Sequence, residues 1–212
     1  MTHTSTFPPS NGMLFILSGP SGVGKDTVLQ CALPRLGAIR TSISVTTREP
    51  RTGEMHGVNY FYISPEEFAR LLEEDGLLEH AAVHGYFYGT PRAWVTEQLQ
   101  AGTDVVLEID VQGALQVKAL FPQAILLFLA PPSWRELSRR LRGRNTEDEA
   151  SIHRRLQHAR HELSRVSQYD YLIVNDRLEE AVERLCAVVL AERCRPWRQD
   201  FSAWEDNEGH DR

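Results

Sequence analysis

A seven-residue loop, Gly19-Pro20-Ser21-Gly22-Val23-Gly24-Lys25, sits between an apolar run at 13–17 and a stretch of helical spacing at 25–36. It constrains the fold more than any other feature of the chain. It fits G-x-x-x-x-G-K in the strand–loop–helix setting that gives this pattern its meaning. Glycines let the backbone turn successive N–H groups inward around a phosphate, and the helix start adds positive potential. Lys25 then spans the β- and γ-phosphates and follows the charge as it moves. The loop predicts a nucleoside triphosphate site. One position departs from the usual pattern: Asp26 stands where Ser or Thr ordinarily serves Mg²⁺, with Thr27 next. A carboxylate there can hold the metal directly or through water and is tolerated in a helix's first turn. Mg²⁺ is therefore expected, with its ligand set left open.

Strands and helices alternate along most of the chain. Residues 39–46 read as a strand, 104–110 as a buried strand ending in carboxylates, and 124–129 and 171–174 as further strands. Helices are expected at 112–120, 133–142, 146–166 and 178–193. Ser133 with Glu136 and Thr146 with Glu149 form capping boxes, and Pro34 with Gly37 stops the first helix. This rhythm implies an α/β fold with a parallel sheet covered on both faces. The stretch 46–92 breaks it. Ser64-Pro65-Glu66-Glu67 opens a helix there, 77–83 and 86–88 form a hairpin, and Thr90-Pro91 starts the next helix. We read 46–92 as an inserted α+β subdomain between core segments 13–45 and 93–195, and the turn at 143–146 as part of a lid spanning about 138–160. The tails, 1–12 and 196–212, are polar or charged and expected to be loose.

Within the insert, Ser42-Ile43-Ser44-Val45-Thr46-Thr47-Arg48-Glu49-Pro50-Arg51-Thr52-Gly53-Glu54 places two arginines three apart around a proline. Two such planar forks can converge on one phosphate. Asp110-Val111-Gln112-Gly113 matches the D-x-x-G of GTPases, but no asparagine begins the N-K-x-D such an enzyme needs to read guanine.

Taken together, the loop, the S-x-T-T-R-x-P-R-x-G-E segment, Gly57 to Phe61, Tyr88-Gly89-Thr90, Glu108 to Gly113 and Ile173 to Asp176 resemble guanylate kinase from about 13 to 193. The resemblance implies a P-loop NTPase-type fold with a GMP-binding insert and a helical lid. It also implies Mg²⁺-dependent transfer of the γ-phosphoryl of ATP to GMP and dGMP. By position, Ser44, Arg48, Arg51, Tyr60 and Tyr88 match residues that hold the GMP phosphate. Glu79, Thr90 and Asp110 match those that read guanine, and Asn175 matches one near the ATP adenine. Guanine offers an N1–H and a 2-amino group, so a carboxylate acceptor selects it over adenine. Nine arginines lie between Arg135 and Arg165; Arg140, Arg144 and Arg155 match the lid and catalytic arginines that would join Lys25 and Arg48. Asp26 and Asp110 are the candidate metal ligands, with Glu108 a weaker one.

Two other readings share some of these motifs. Ribose 1,5-bisphosphate phosphokinases carry Asp after the loop lysine but lack the clamp from Ser44 to Thr90. Scaffold modules of this type bind phosphopeptides but have an eroded ATP loop, intact here. A net charge of -6 argues against non-specific nucleic-acid binding. The longest apolar run, 124–132, is too short to span a bilayer. Cys31, Cys186 and Cys194 lack metal-ligand spacing and read as reduced thiols of a cytoplasmic protein. Nothing in the sequence indicates an oligomeric state.

Overall fold

The structure, a computed structural model, describes residues 12–83, 85–143 and 149–199. The Thr146 cap, Arg144 and most of both tails lie outside them.

Five strands form one all-parallel sheet in the order β2-β7-β1-β8-β9: β1 (Leu14–Ser18), β2 (Ile39–Thr41), β7 (Asp104–Glu108), β8 (Ile125–Ala130) and β9 (Tyr171–Val174). Because successive side chains alternate between faces, Phe15 and Leu17 enter one core and Leu14 and Ile16 the other. The first core lies under α1 (Lys25–Leu36) and α7 (Leu178–Arg193). The second lies under α3 (Arg92–Gln100) and α4 (Val111–Leu120). Each fully buried Leu or Ile here contributes about 1.5–3 kcal/mol. With both faces covered, β8 is buried at every position, which is why it reads as an unbroken apolar run.

A second sheet, in the order β4-β3-β6-β5, is built from β3 (Val45–Thr46), β4 (Phe61–Tyr62), β5 (Leu77–Val83) and β6 (Tyr86–Pro91). It packs against α2 (Pro65–Glu73) through Phe68, Val45 and Leu77. Beyond β8 come α5 (Trp134–Arg142) and α6 (Glu149–Leu163).

Four local expectations need correction. The run 39–46 is not one strand: it leaves the first sheet after Thr41 and joins the second at Val45. The first helix, α1, has the expected bounds 25–36, but Pro34 lies inside it and only Gly37, at φ 68°, ends it. Thr90 caps nothing, because β6 runs through Pro91 and α3 starts without a side-chain cap. Ser133 does accept from the Glu136 N–H, but the Glu136 carboxylate pairs with Arg139 and Arg140 rather than closing a capping box. The box at Ser64 and Glu67 is complete in both directions.

The carboxyl ends of the parallel strands converge, as they do where open α/β sheets bind ligands. The loop from Gly19 to Lys25 leaves the end of β1, and Ser18 Oγ donates to the carbonyls of Ile109 and Asp110 beyond β7. Gly19 is required at the turn: its φ is +149°, and a Cβ there would lie 2.1 Å from the Leu129 carbonyl oxygen.

Candidate active site

At the end formed by the loop from Gly19 to Lys25, Gly24 in the left-handed region (φ 94°) launches α1, so Lys25 begins the helix with its side chain folded over the loop. Its Nζ donates to the Gly19 carbonyl at 2.7 Å. Ser21 Oγ accepts from Nη2 of Arg155 at 2.6 Å, which brings the buried α6 arginine onto the front of the loop. Behind the loop, Asn175 Nδ2 donates to the Val23 carbonyl at 2.8 Å. Arg140 reaches the same carbonyl at 3.4 Å and that of Asn175 at 3.1 Å, while Glu136 fixes its guanidinium at 2.7 Å. Asp26 and Thr27 are exposed on the first turn of α1.

At the far end, Arg48 follows β3 and is buried. Its Nη1 donates to the Glu49 carbonyl, and its Nη2 to both oxygens of Glu54, at 3.1 and 2.9 Å. The rings of Tyr60 and Tyr62 lie 5.6 and 5.9 Å from its guanidinium carbon, near enough for cation–π attraction. Glu54 also accepts the Arg51 N–H and the Tyr62 hydroxyl. Burial works against its charge, yet these bonds hold its carboxyl below the usual range. Glu54 is thus the residue that orients Arg48. The sequence offered a signal for it, a carboxylate three residues after Arg51.

Between the two ends lies a cavity of about 260 Å³ whose wall includes Ser21, Lys25, Ser44, Tyr60, Tyr88 and Asp110, with Glu79 among them. Glu79 is 4% exposed and accepts from Thr90 Oγ1 at 2.7 Å. Burial, with the Asp110 charge behind it, pushes its pKa up to about 7 against the opposing Thr90 hydrogen bonds. Asp110 caps α4 by accepting the Gly113 N–H at 2.8 Å. Gly113 has no room for a side chain, since a Cβ would meet Glu79 Oε2 at 2.4 Å. An adjoining cavity of about 480 Å³ runs from Gly22, Asp26 and Thr27 to Arg51. Arg48, Thr90 and Asn175, all buried, stand behind these surfaces.

Two carboxylates emerge that sequence reasoning ranked low or missed. Glu108, at the end of β7, keeps contact with solvent but is crowded enough that burial raises its pKa. Lys25 lowers it and Asp26 raises it further. Glu162 of α6 lines the same cavity as Lys25 and Asp110, and burial pushes it up to about 7. In the sequence it passes for an ordinary partner of the surrounding arginines; its only signal is a position two helical turns beyond Arg155, on the same face. Burial also pushes Tyr60 up to about 12, so its hydroxyl remains a proton donor at neutral pH.

The donor chemistry suits Mg²⁺, which takes oxygen ligands and keeps several waters. Asp26, Glu108 and Asp110 surround the position of Lys25. Among the described residues no group of three or more His, Cys, Asp or Glu could hold a metal ion. One or two carboxylates, completed by phosphate oxygens and water, would be the binding mode.

The family model for guanylate kinase matches residues 11–192. The chain is 50% identical over 192 residues to the guanylate kinase of Desulfitobacterium hafniense (strain Y51), covering 91% of this chain and 96% of that one. It is 51% identical over 182 residues to that of Synechococcus sp. (strain JA-3-3Ab), covering 86% and 84%. The crystal structure of guanylate kinase from Anaplasma phagocytophilum superposes with a TM-score of 0.77 at 35% identity, covering 92% of this chain and 93% of that one.

Proposed function

The chain belongs to the guanylate kinase family and is an ATP-dependent kinase of GMP; we propose that the two ends of its cavity divide the work as follows. ATP places its β- and γ-phosphates in the loop from Gly19 to Gly24, against backbone N–H groups such as those of Gly22 and Gly24, with Lys25 across them. GMP lies opposite. Its phosphate meets Arg48, Arg51, Ser44, Tyr60 and Tyr88, and its base meets Glu79, Thr90 and Asp110. The observation that carries this reading is the single cavity in which Lys25 and Ser21 face Glu79, Ser44 and the two tyrosines.

The acceptor is itself a phosphate whose second pKa is about 6, so it is ionised at neutral pH and needs no strong general base. Catalysis then consists of aligning two anions and neutralising the charge that spreads between them. Arg155, on the Ser21 hydroxyl, is already at the front of the loop; Lys25 and Arg48 approach from either side. Arg144 would add a further cation from the lid. Glu54 stiffens Arg48 so that its fork meets the phosphate without first being ordered. Asp26, Glu108 and Asp110 are the residues that would hold Mg²⁺, directly or through water, and the ion would supply neutralisation of the triphosphate's charge. The cavity rim is formed by separate elements, the second sheet and α6, and their approach would exclude water.

A coupled assay over GMP, dGMP, AMP, UMP, CMP and ribose 1,5-bisphosphate, with and without Mg²⁺, tests the reading. GMP and dGMP should turn over only with the metal present. Inert GMP alongside an accepted ribose bisphosphate would overturn it, and so would GMP binding without turnover.

A further inference from the structure

The buried hydrogen bonds behind the phosphate-binding loop have a consequence for how that loop works. The Val23 carbonyl and the Gly24 N–H belong to one planar trans peptide, so they point in opposite directions. Whatever holds the carbonyl backward aims the N–H forward, into the space where a phosphate sits. Asn175 Nδ2 holds it, at 2.8 Å in a buried bond spanning 152 positions of sequence. Arg140 adds a second donor at 3.4 Å and ties down the Asn175 carbonyl at 3.1 Å.

Asn175 is itself well anchored. Its N–H continues the β8–β9 ladder by donating to the Ala130 carbonyl at 2.8 Å. Only a glycine at 24 leaves it room, since a Cβ there would lie 2.9 Å from Nδ2. Val23 is fully buried, so water cannot substitute for these donors. An amide suits the post because its NH₂ group donates to the carbonyl, whereas an isosteric carboxylate could only accept.

We propose that Asn175, with Arg140 beside it, is a positioning residue for phosphate binding, acting through the Val23–Gly24 peptide rather than by touching the base of the nucleotide. The proposal rests on the kinase reading, since it presumes that a triphosphate occupies the loop. It assigns Asn175 a role that every triphosphate, whatever its base, would feel. It also links the loop to α5, because Arg140 and Glu136 lie on that helix.

Asn175→Asp and Asn175→Ala test it, with affinities measured by titration calorimetry for three probes: the β,γ-imido analogue of ATP, inorganic tripolyphosphate and GMP. The aspartate is nearly isosteric but presents an acceptor to the Val23 carbonyl. It should weaken the analogue and tripolyphosphate alike by about tenfold to a hundredfold, the alanine by less, with GMP within about twofold of wild type. Weakening of the analogue alone would overturn the proposal in favour of contact with the base. Equal weakening of GMP would reduce the effect to general unfolding, and unchanged affinities would refute it outright. A wild-type loop that fails to bind tripolyphosphate also counts against it, because a preformed nest needs no base. Wild-type turnover of ATP and GMP is read separately, so failure of the proposal leaves the kinase reading standing.

Discussion

Replacing Glu79 with glutamine should stabilise the ligand-free protein while damaging its recognition of GMP. Glu79 is 4% exposed, and burial together with Asp110 pushes its pKa to about 7, against 4.5 for an ordinary glutamate. Below pH 4.5 the side chain is protonated in both folded and unfolded states and carries no penalty. As pH rises towards 7, the unfolded chain releases its proton first, and the fold loses stability over that window. Above pH 7 the loss levels off at about 3 kcal/mol, while at pH 5 it is under about 1 kcal/mol. Glutamine removes the penalty, and its carbonyl can still accept the Thr90 hydroxyl now bonded to Glu79 at 2.7 Å. Thermal unfolding of Glu79→Gln at pH 8 should therefore exceed wild type by about 5–10 °C, shrinking to about 1–3 °C at pH 5. Its KM for GMP should rise about a hundredfold, since one guanine donor now faces an amide donor. The wild-type KM for GMP should itself climb as pH falls through 7, where the Glu79 acceptor becomes protonated, and the variant should keep only the slope near about pH 6 that comes from the GMP phosphate. A Tm difference independent of pH, or an unchanged KM, would refute the reasoning.

Lys25→Ala should abolish measurable turnover while leaving the calorimetric affinity for GMP within about twofold, because Lys25 serves the triphosphate; retention of wild-type kcat would contradict the mechanism. Glu54→Gln should raise the KM for GMP by about three- to tenfold and leave the KM for ATP alone, since it loosens Arg48 without removing its charge. Arg48→Ala should raise the KM for GMP further and also lower stability by about 1–3 kcal/mol, because it leaves a partly buried Glu54 without its charged partner. Steady-state kinetics on both variants, beside urea melts, separate the two effects; an equal KM for GMP in wild type and Arg48→Ala would dismiss the clamp.

The parts of the site that can be read in the sequence are those whose geometry is made by neighbouring residues. The phosphate nest is contiguous, so its glycines, its lysine and the helix start declare themselves together. The same holds for β9 and α7, whose bounds follow from an isolated apolar run and a long amphipathic stretch. What resists reading is the choice a side chain makes between a local and a distant partner. Thr90 stands before a proline like a helix cap, yet its hydroxyl goes across the hairpin to Glu79. Glu136 has the spacing of a capping box but prefers two arginines, whose charge-assisted bonds outweigh a backbone N–H. Residues 39–46 alternate without a break, and nothing local marks where the chain changes sheets; that point is set by whether Val106 or Gly89 is the neighbour. Arg140 and Arg155 make the argument most directly. They are the same residue type on adjoining arginine-rich helices, and spacing treats them alike. One reaches the Val23 carbonyl behind the loop and the other the Ser21 hydroxyl before it. The same charge therefore braces the loop's backbone from one side and its Ser21 hydroxyl from the other, a distinction that exists only once β9 has brought Asn175 to the rear of a loop 152 residues away.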